Sequence, residues 1–469
     1  MSFMSMEFMF FFVVLLLGLK MTRGMEKHRA ILLVASYVFY FLGDARFLVI
    51  LIFISFSSWY IGKRIGEDRI NAKKYLIIAI FIDLMVLSVF KYFNFFMDNF
   101  CKLLGDSWVT VNIILPIGIS FYIFQAISYV VDIYNGKIEA EKSLVKILLY
   151  IGFFPQIVSG PIMKAHEFLP QLDIDHEITG ENLSYGIQRF MTGIFKKMVV
   201  ADRLSVCVNA VYSAPACYSG ISIMLAVLSY TLEIYYDFAG YSDMAIGIAA
   251  ALGFELKTNF NLPYLAKTPS EFWKRWHISL SSWLGEYVYI SLGGNRKGKI
   301  RTYINLFITM LLSGIWHGAN WGFILWGILH AGISVIYKIF VDIKKKYNIF
   351  TANKMLLKMV SAFSTMSTFI IVTLLWVPFR SHDLRKTKLI YSRLFMMSEG
   401  INYNYIFTFV FFVFLLIVEI IAVKRNNGND IWRPLNLNRF SGKVIFLSFI
   451  FLTFLFAYIG DNAFIYANF

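Results

Sequence analysis

The sequence contains few charged residues for its length. Only 16% of its 469 residues are Asp, Glu, Lys or Arg, whereas 58% are hydrophobic and the mean hydropathy is +0.64. Soluble domains are about a quarter charged, so this composition excludes an ordinary soluble protein. Apolar runs near the length of a membrane-crossing helix recur, without the short alternation of an outer-membrane barrel. We therefore predict an all-α polytopic membrane protein with about ten to twelve helices.

The motifs of several common enzyme classes are also missing. The sequence has no Walker loop, no GxSxG elbow, no HExxH motif and no CxxC pair. These absences argue against a nucleotide-driven pump and against the common hydrolase and zinc classes. The three cysteines, Cys101, Cys207 and Cys217, lack metal-ligand spacing, and no metal site is predicted. A disulfide between Cys207 and Cys217 is conceivable, but small apolar residues are the favoured interpretation.

Acidic residues are fewer than basic ones, 29 against 44, which gives a formal charge of +15. In a membrane protein such a surplus marks cytoplasmic loops, so we expect no nucleic-acid binding. The first apolar run, residues 8–19, is followed by a basic cluster at residues 20–29, which predicts that the N-terminus lies outside. The run has no small-residue cleavage site and is expected to remain as the first helix.

Acidic residues interrupt a later apolar run, residues 219–252. Glu233 and Asp237 are four positions apart and share one helix face, and Asp243 follows them. Acids at membrane depth are costly unless they are paired or face a cavity. Two interpretations stay open: the acids brace helices against Arg or Tyr partners, or they act directly in function. Asp243 is therefore a candidate substrate-binding residue.

Two basic stretches are predicted to lie at the membrane surface. Residues 185–200 carry one Arg and two Lys, too many for a lipid-facing span, and suit an interfacial helix. Residues 257–301 carry eight Lys or Arg against two Glu and are expected to be cytoplasmic. Within them, Thr268 as N-cap, followed by proline and by Glu271, predicts a helix start. We expect this helix to continue through FWKRWHISLSSWL, residues 272–284.

That helix contains Trp276 and His277, which are close enough in sequence to share a surface. His277 is predicted to orient an acyl carrier or to stabilise an oxyanion. Trp276 is a candidate substrate-binding residue beside it. On the residues alone, a plain packing role for both side chains stays open.

One uncharged run is too long for a single straight crossing. There is no charged residue between Arg301 and Lys338. As a helix this run would extend over about 50 Å, against a hydrocarbon core of about 30 Å. It must tilt, break or fold back, and Gly314 and Gly318 mark the expected break beside His317. The basic loops on both sides predict that the run enters and returns to the cytoplasmic face.

Histidine is the remaining candidate for chemistry. His277, His317 and His330 lie in or beside buried stretches. An imidazole can take a proton from a hydroxyl group as that group attacks a thioester, and this general-base role is predicted for His317. Trp316 and Asn320 beside it are candidate substrate-binding residues. His330 is expected to pack or hydrogen-bond between helices.

Five long segments occur in an order that matches a known family. They are LPIGISFYIFQAISYVVDIYNG, GFFPQIVSGPIMKAHEFLPQL, YDFAGYSDMAIGIAAALGF, NFNLPYLAKTPSEFWKRWHISLSSWLGEYVYISLGGNRKG and SGIWHGANWGFILWGILHAG. Together they resemble the bacterial branch of the membrane-bound O-acyltransferase family, and most of all its alginate- and peptidoglycan-acetylating members. The resemblance covers about residues 30–400. With no fixed-period repeat and no low-complexity linker, residues 1–469 are expected to form one integral membrane domain.

The resemblance implies a ring of helices around a thinned core that a tunnel crosses. The near-invariant family histidine falls on His317, and a second family position falls on His277, so both are expected to be catalytic. The implied substrate is a cytoplasmic acyl thioester, either acetyl-CoA or a phosphopantetheine-bearing carrier. The basic residues 257–301 would attract this anionic donor. No permanently bound cofactor is expected.

The resemblance also implies the acceptor and the location. The acetyl group would pass to a cell-envelope or extracellular polysaccharide, with an extracytoplasmic SGNH-type acetyltransferase as the expected partner. The protein would lie among the lipids of the bacterial cytoplasmic (inner) membrane. The alternative within the family is D-alanyl transfer from a carrier protein to teichoic acid. A transporter that uses the intramembrane acids is disfavoured because no internal two-fold repeat is present.

Overall fold

The computed structural model describes residues 1–347, 354–425, 434–458 and 460. In these ranges the regular structure is helical, apart from an isolated bridge between Tyr218 and Ile401. The prediction of an all-α protein is confirmed. All three cysteines are free, so no disulfide joins Cys207 to Cys217.

Ten α-helices lie before residue 195. They are α1 (Met6–Met21), α2 (Met25–Asp44), α3 (Leu48–Glu67), α4 (Ala72–Leu87), α5 (Phe93–Leu103), α6 (Ile119–Tyr134), α7 (Leu144–Gly152), α8 (Phe154–Ile157), α9 (Ala165–Phe168) and α10 (Gly180–Ile194). Short 3₁₀ segments follow α2 and α9, at Ala45–Phe47 and Leu169–Asp173. A π-helical segment, Ser88–Tyr92, joins α4 to α5.

Ten more α-helices lie in the described chain after residue 201. They are α11 (Asp202–Ser213), α12 (Gly220–Ala251), α13 (Pro269–Arg275), α14 (Ile278–Trp283), α15 (Lys299–His317), α16 (Trp321–Lys346), α17 (Lys354–Ser381), α18 (Leu384–Phe395), α19 (Ile406–Arg425) and α20 (Phe440–Phe456). Two further π-helical segments are Phe195–Ala201 and Leu284–Tyr289, and Pro263–Leu265 is a 3₁₀ turn.

Five helical runs of described residues are long and apolar enough to cross a membrane. They are Met25–Glu67, Ala72–Leu103, Gly220–Ala251, Trp321–Lys346 and Met355–Ser381. Large apolar side chains on their outer faces are exposed, such as Val49, Phe81 and Phe363. An apolar surface of this extent suits contact with lipid. The prediction of a polytopic membrane protein is confirmed.

Helix α12 is the most enclosed of these five runs. It packs against α10, α11 and the π segment Phe195–Ala201. Helix α10 approaches it closely, because a Cβ on Gly193 would lie only 2.5 Å from the carbonyl oxygen of Gly240. Small residues allow such close packing of helix backbones in membranes. Helix α12 therefore forms an inner element of the bundle.

The prediction that residues 185–200 form an interfacial helix is wrong. Arg189 and Lys197 are buried, although an interfacial helix would present its charges to water. Arg189 Nε lies 3.1 Å from Asp243 Oδ1, and Lys197 Nζ lies 2.6 Å from Asp237 Oδ1. The acids of α12 need partners at this depth, and the basic side chains supply them. Of the two interpretations of Asp237 and Asp243, the structure supports the first: both acids brace α12 against basic side chains.

Helix α18 links the starts of two long helices. The amide of Gly322 in α16 donates to the His382 carbonyl oxygen, just before α18, at 3.3 Å. Near the other end of α18, Arg393 Nε donates to the carbonyl oxygen of Tyr218, just before α12, at 3.0 Å. Residues 381–395 thus lie on the side where α12 and α16 begin.

The buried apolar residues form two clusters, and the uncharged run lies between them. Trp316 belongs to the first cluster, which includes residues of α1–α4, α6 and α7. Phe323 and Trp326 belong to the second, which includes residues of α11, α12 and α17. His317, next to Trp316, therefore lies at the boundary of the two clusters.

Candidate active site

The long uncharged run breaks where its glycines predict. Helix α15 ends at His317, and α16 begins after residues 318–320. The two helices then pack side by side, because a Cβ on Gly314 would lie only 2.7 Å from the Cα of Gly327. A side chain at either position would push the helices apart. The prediction of a fold-back next to His317 is confirmed.

The ring of His317 is enclosed by aromatic side chains. The residue is 2% exposed. Its ring centroid lies 4.9 Å from that of Trp316, 5.1 Å from that of Trp326 and 5.0 Å from that of Phe379. These side chains come from α15, α16 and α17, so three helices fix the imidazole. Exclusion of bulk water strengthens the electrostatic interactions of a reaction at this ring.

His277 lies at a second break. The helix start is as predicted, since the Thr268 hydroxyl accepts from the Glu271 amide at 3.0 Å. The prediction of one helix through residues 272–284 is wrong, because α13 ends at Arg275 and α14 begins at Ile278. Between them His277 has φ +43°, a left-handed conformation that non-glycine residues rarely adopt. Backbone strain of this kind concentrates at functional sites.

Asn259 holds the break at His277. This side chain is buried; its Oδ1 accepts from the Ser279 amide at 3.2 Å, and its Nδ2 donates to Ser242 Oγ at 2.8 Å. Its own carbonyl oxygen accepts from the Ile278 amide at 2.9 Å. The first amides after His277 are thereby satisfied from a distant loop. Sequence reasoning missed Asn259; the signal available was its place in the NFNLPYL segment.

Trp316 lies between the two histidines. Its ring centroid is 4.9 Å from that of His317 and 6.1 Å from that of His277. It also stacks on Phe124, which in turn stacks on Trp283 at 3.9 Å. The structure thus brings His317, His277 and Trp316 together, although Trp316 lies 39 positions after His277 in the sequence.

The sequence was then compared with known proteins. The model of MBOAT, the membrane-bound O-acyltransferase family, matches residues 46–377. The chain belongs to this family. It is accordingly an enzyme of the O-acyltransferase type, as the motifs around His317 and His277 predicted. The matched residues fall inside the predicted core of about residues 30–400.

Three relatives show which MBOAT proteins the chain is similar to. A probable alginate O-acetylase of Pseudomonas syringae pv. tomato is 37% identical over 406 residues, which are 85% of this chain and 76% of the relative. A peptidoglycan O-acetyltransferase of Helicobacter pylori is 33% identical over 381 residues, 75% of this chain and 71% of the relative. A teichoic acid D-alanyltransferase of Bacillus subtilis is 29% identical over 254 residues, 52% and 64% respectively.

Two of the predicted substrate-binding residues of this MBOAT protein have structural contacts. Asn320 caps α16, because its Oδ1 accepts from the Phe323 amide at 3.0 Å. Trp276 is buried and packs against Phe272 and Trp376, with ring centroids 5.6 Å and 4.9 Å away. These contacts explain the positions of both side chains without a bound substrate. A role of Asn320 and Trp276 in substrate binding stays a prediction.

Asp243 is likewise engaged within the protein. Its Oδ2 accepts from Lys196 Nζ at 2.8 Å, and its Oδ1 accepts from Arg189. Two cations on one buried carboxylate join α12 to α10 and to the π segment Phe195–Ala201. We therefore assign Asp243 a bracing role, and direct contact with a substrate stays a prediction.

His330 packs between helices, as predicted. Its ring centroid lies 5.1 Å from that of Trp273 in α13 and 4.7 Å from that of Trp326 in α16. Trp326 also borders His317. His330 thus helps to hold the α13 segment, which precedes His277, against the α15–α16 hairpin.

A polar network that includes neither His277 nor His317 joins α6, α9, the π segment Leu284–Tyr289 and two loops. Its members are Asp132, Lys137, Lys164, His166, Glu286 and Tyr287. Possible metal-ligand atoms of Asp132, His166 and Glu286 lie within 4.8 Å of one another, close enough to bind one metal ion. However, Glu286 already accepts from Lys137 and Lys164. Burial alone would raise the pKa of Glu286, but these two ammonium groups lower it below its usual range. The arrangement is that of an ion-pair network.

A cavity of about 630 Å³ adjoins the site. Its walls are apolar side chains of α4, α6, the π segment Leu284–Tyr289 and α15, and it reaches Trp316. Tyr134 and Asn135, at the end of α6, also line it. The cavity thus extends from the end of α6 to Trp316, whose ring borders both His317 and His277.

Proposed function

We propose that this enzyme transfers an acetyl group from a cytoplasmic thioester to a hydroxyl group of a cell-envelope or extracellular polysaccharide, or to a partner that completes the transfer. The observation that carries the proposal is the enclosed pair of His317 and His277 around Trp316. The acetyl group is favoured over D-alanine because the alginate and peptidoglycan relatives match more of the chain than the teichoic acid enzyme does.

His317 acts as the general base. It takes the proton of the acceptor hydroxyl group as the oxygen attacks the thioester carbonyl carbon. A carbon–oxygen bond forms, the carbon–sulfur bond breaks, and the leaving sulfur receives the proton from the imidazolium of His317. Each turn therefore returns His317 to its neutral form. Its enclosure by aromatic rings keeps water from competing with the acceptor.

His277 lies where it can support the carbonyl oxygen as negative charge develops on it. The left-handed backbone at His277 and its anchoring by Asn259 fix the direction of this imidazole before substrate arrives. Trp316 lies between the two histidines and is a natural wall for the acetyl group. Groups that are already in place need no reorganisation during the reaction.

We propose that the enzyme lies in the bacterial cytoplasmic membrane with its N-terminus outside. The support is the distribution of basic residues. Arg29, in the first basic cluster, donates to the carbonyl oxygen of Leu172 at 2.6 Å. Gln171 Nε2 in turn donates to the Glu255 carbonyl oxygen at 3.1 Å, next to the basic residues 257–301. Both basic regions thus lie at one end of the bundle, which we assign to the cytoplasm.

Purified protein in proteoliposomes tests the proposal. Labelled acetyl-CoA, an acetylated phosphopantetheine carrier and a D-alanylated carrier are supplied in turn, and acyl transfer is measured both as consumption of the thioester and as label on alginate or peptidoglycan. We expect transfer from one of the two acetyl donors. Transfer from the D-alanyl carrier alone would instead support the alternative activity, D-alanyl transfer to teichoic acid. A lack of acyl transfer from all three would refute the proposal.

The cavity next to Trp316 is proposed to receive the acyl-bearing arm of the donor. Leu84 lines it and is 46% exposed, whereas Phe81 on the same helix is 64% exposed and lies outside the lining. We expect Leu84→Trp to raise the KM for the donor about tenfold, because the indole occupies space that the donor needs. Phe81→Trp is the matched control and should leave KM unchanged. Equal KM values for both variants would refute the proposal that the donor binds in this cavity.

A further inference from the structure

A lysine that the proposed chemistry does not use contacts the end of α15. Lys91 lies in the π segment Ser88–Tyr92, inside the apolar run Ala72–Leu103. Its Nζ donates to the Trp316 carbonyl oxygen at 2.5 Å and to Ser120 Oγ at 2.9 Å. The same ammonium lies 5.3 Å from the centroid of the Trp316 ring, within the range of a cation–π interaction. Charged residues inside membrane segments are rare and are usually functional.

The neighbouring residue contacts the same turn. Tyr92 is buried, and its hydroxyl group donates to the Ile315 carbonyl oxygen at 2.8 Å. The last carbonyl groups of a helix have no partner within the helix. Lys91 supplies a partner to the Trp316 carbonyl oxygen, and Tyr92 adds a second donor to that of Ile315, which also accepts from the Gly318 amide at 3.2 Å. A cation at a helix C-terminus also interacts favourably with the helix dipole.

Two consecutive side chains of the π segment, Lys91 and Tyr92, contact the same turn of α15. Single-turn π segments are rare and are frequently found at functional sites. Ser120, near the start of α6, adds a third element to the contact.

We propose that Lys91 is a positioning residue for acyl transfer. Its ammonium group, together with the Tyr92 hydroxyl group, fixes the last turn of α15 and so the position of the His317 ring between Trp316, Trp326 and Phe379. The ammonium group also holds the indole of Trp316, which borders both histidines. This inference rests on the proposed role of His317. Lys91 itself does not touch the reacting atoms.

The test compares Lys91→Met with Lys91→Arg in reconstituted protein. Methionine fills similar space but donates no hydrogen bond, whereas arginine keeps the charge and the donors. A displaced catalytic group of this kind lowers the rate by about 100-fold. We expect Lys91→Met to lose about that factor in kcat with the KM for the donor nearly unchanged, and Lys91→Arg to retain more of kcat. The matched control is Lys102→Met, an exposed lysine of α5 that pairs with Asp98.

Other outcomes separate the possibilities. If Lys91→Met keeps the kcat of the wild type while a His317 variant is inactive, the positioning role is refuted and the proposed function stands. If the His317 variant is active, the proposed function fails first. If Lys91→Met does not fold, Tyr92→Phe decides, because it removes one hydroxyl group and little volume. A lower kcat at constant KM in Tyr92→Phe supports the proposal, and an unchanged kcat overturns it.

Discussion

Replacement of His317 by glutamine is expected to abolish acyl transfer. Glutamine keeps a polar side chain of similar size but cannot take up and return the proton of the acceptor hydroxyl group. General-base catalysis contributes about 10²–10⁴-fold, so kcat should fall by about that factor. The measurement is the initial rate of labelled acetyl transfer in proteoliposomes, normalised to the amount of folded protein.

His28→Gln is the matched control for this experiment. His28 lies in α2 at the opposite end of the bundle, where its Nδ1 is 3.0 Å from Asp175 Oδ1. The His28 side chain is 16% exposed and also contacts the Thr22 carbonyl oxygen, but it lies outside the proposed site. The same chemical change there should leave kcat within about twofold. Wild-type transfer by His317→Gln would contradict the general-base assignment.

Removal of the Asn259 side chain is expected to have the second largest effect. In Asn259→Ala the Ser279 amide and the Ser242 hydroxyl group both lose a buried partner. A lost partner in a buried site costs about 1–3 kcal/mol, enough to release the left-handed backbone at His277. We expect kcat to fall about 100-fold, because small displacements of a catalytic group have effects of this size.

Asn261→Ala serves as the comparison for Asn259→Ala. Asn261 lies two residues further along the same loop, and it contacts Arg275 through backbone atoms, which the substitution keeps. We expect nearly normal kcat and thermal stability for Asn261→Ala. Should Asn259→Ala and Asn261→Ala transfer acetyl equally fast, the Asn259 side chain would have no part in placing His277.

The break at His317 could be predicted because it follows from length. An uncharged run that exceeds the bilayer thickness must bend, and the glycines near His317 were its only local markers. The partner of Gly314 could not be predicted in the same way. Its contact with Gly327 depends on the angle at which α15 and α16 meet, which local sequence does not determine.

The break at His277 shows why part of the site could not be predicted. Residues 272–284 favour a helix, with a good N-cap at Thr268 and neither glycine nor proline in residues 270–284. The break is held by Asn259, which contacts the chain after His277 from a loop that precedes α13 and lies 20 residues before Ser279. Tertiary contacts of this kind override local propensity. The resemblance to a family could point to His277, but not to the backbone that holds it.

The basic residues 185–200 show that the location of charged side chains could not be predicted from local sequence either. Their number predicted a surface helix, because charge in lipid is costly. The cost disappears when acids of another helix face the same charges, as Asp237 and Asp243 do. Lys91 was overlooked for a similar reason, since its partners are a backbone carbonyl oxygen and a serine hydroxyl group, neither of which stands out as an opposite charge in the sequence.

The ion pairs between α10 and α12 also bear on how the chain enters the membrane. Helix α12 carries Glu233, Asp237 and Asp243, and each acid at the centre of a lone helix opposes insertion by about 2.5–3.5 kcal/mol. We expect α12 to insert poorly when synthesised alone and well when residues 180–251 are made together, since Arg189 and Lys197 then arrive first. Glycosylation mapping of the two segments measures this, and efficient insertion of lone α12 would contradict it. The translocon would thus have to hold α10 until its partner emerges.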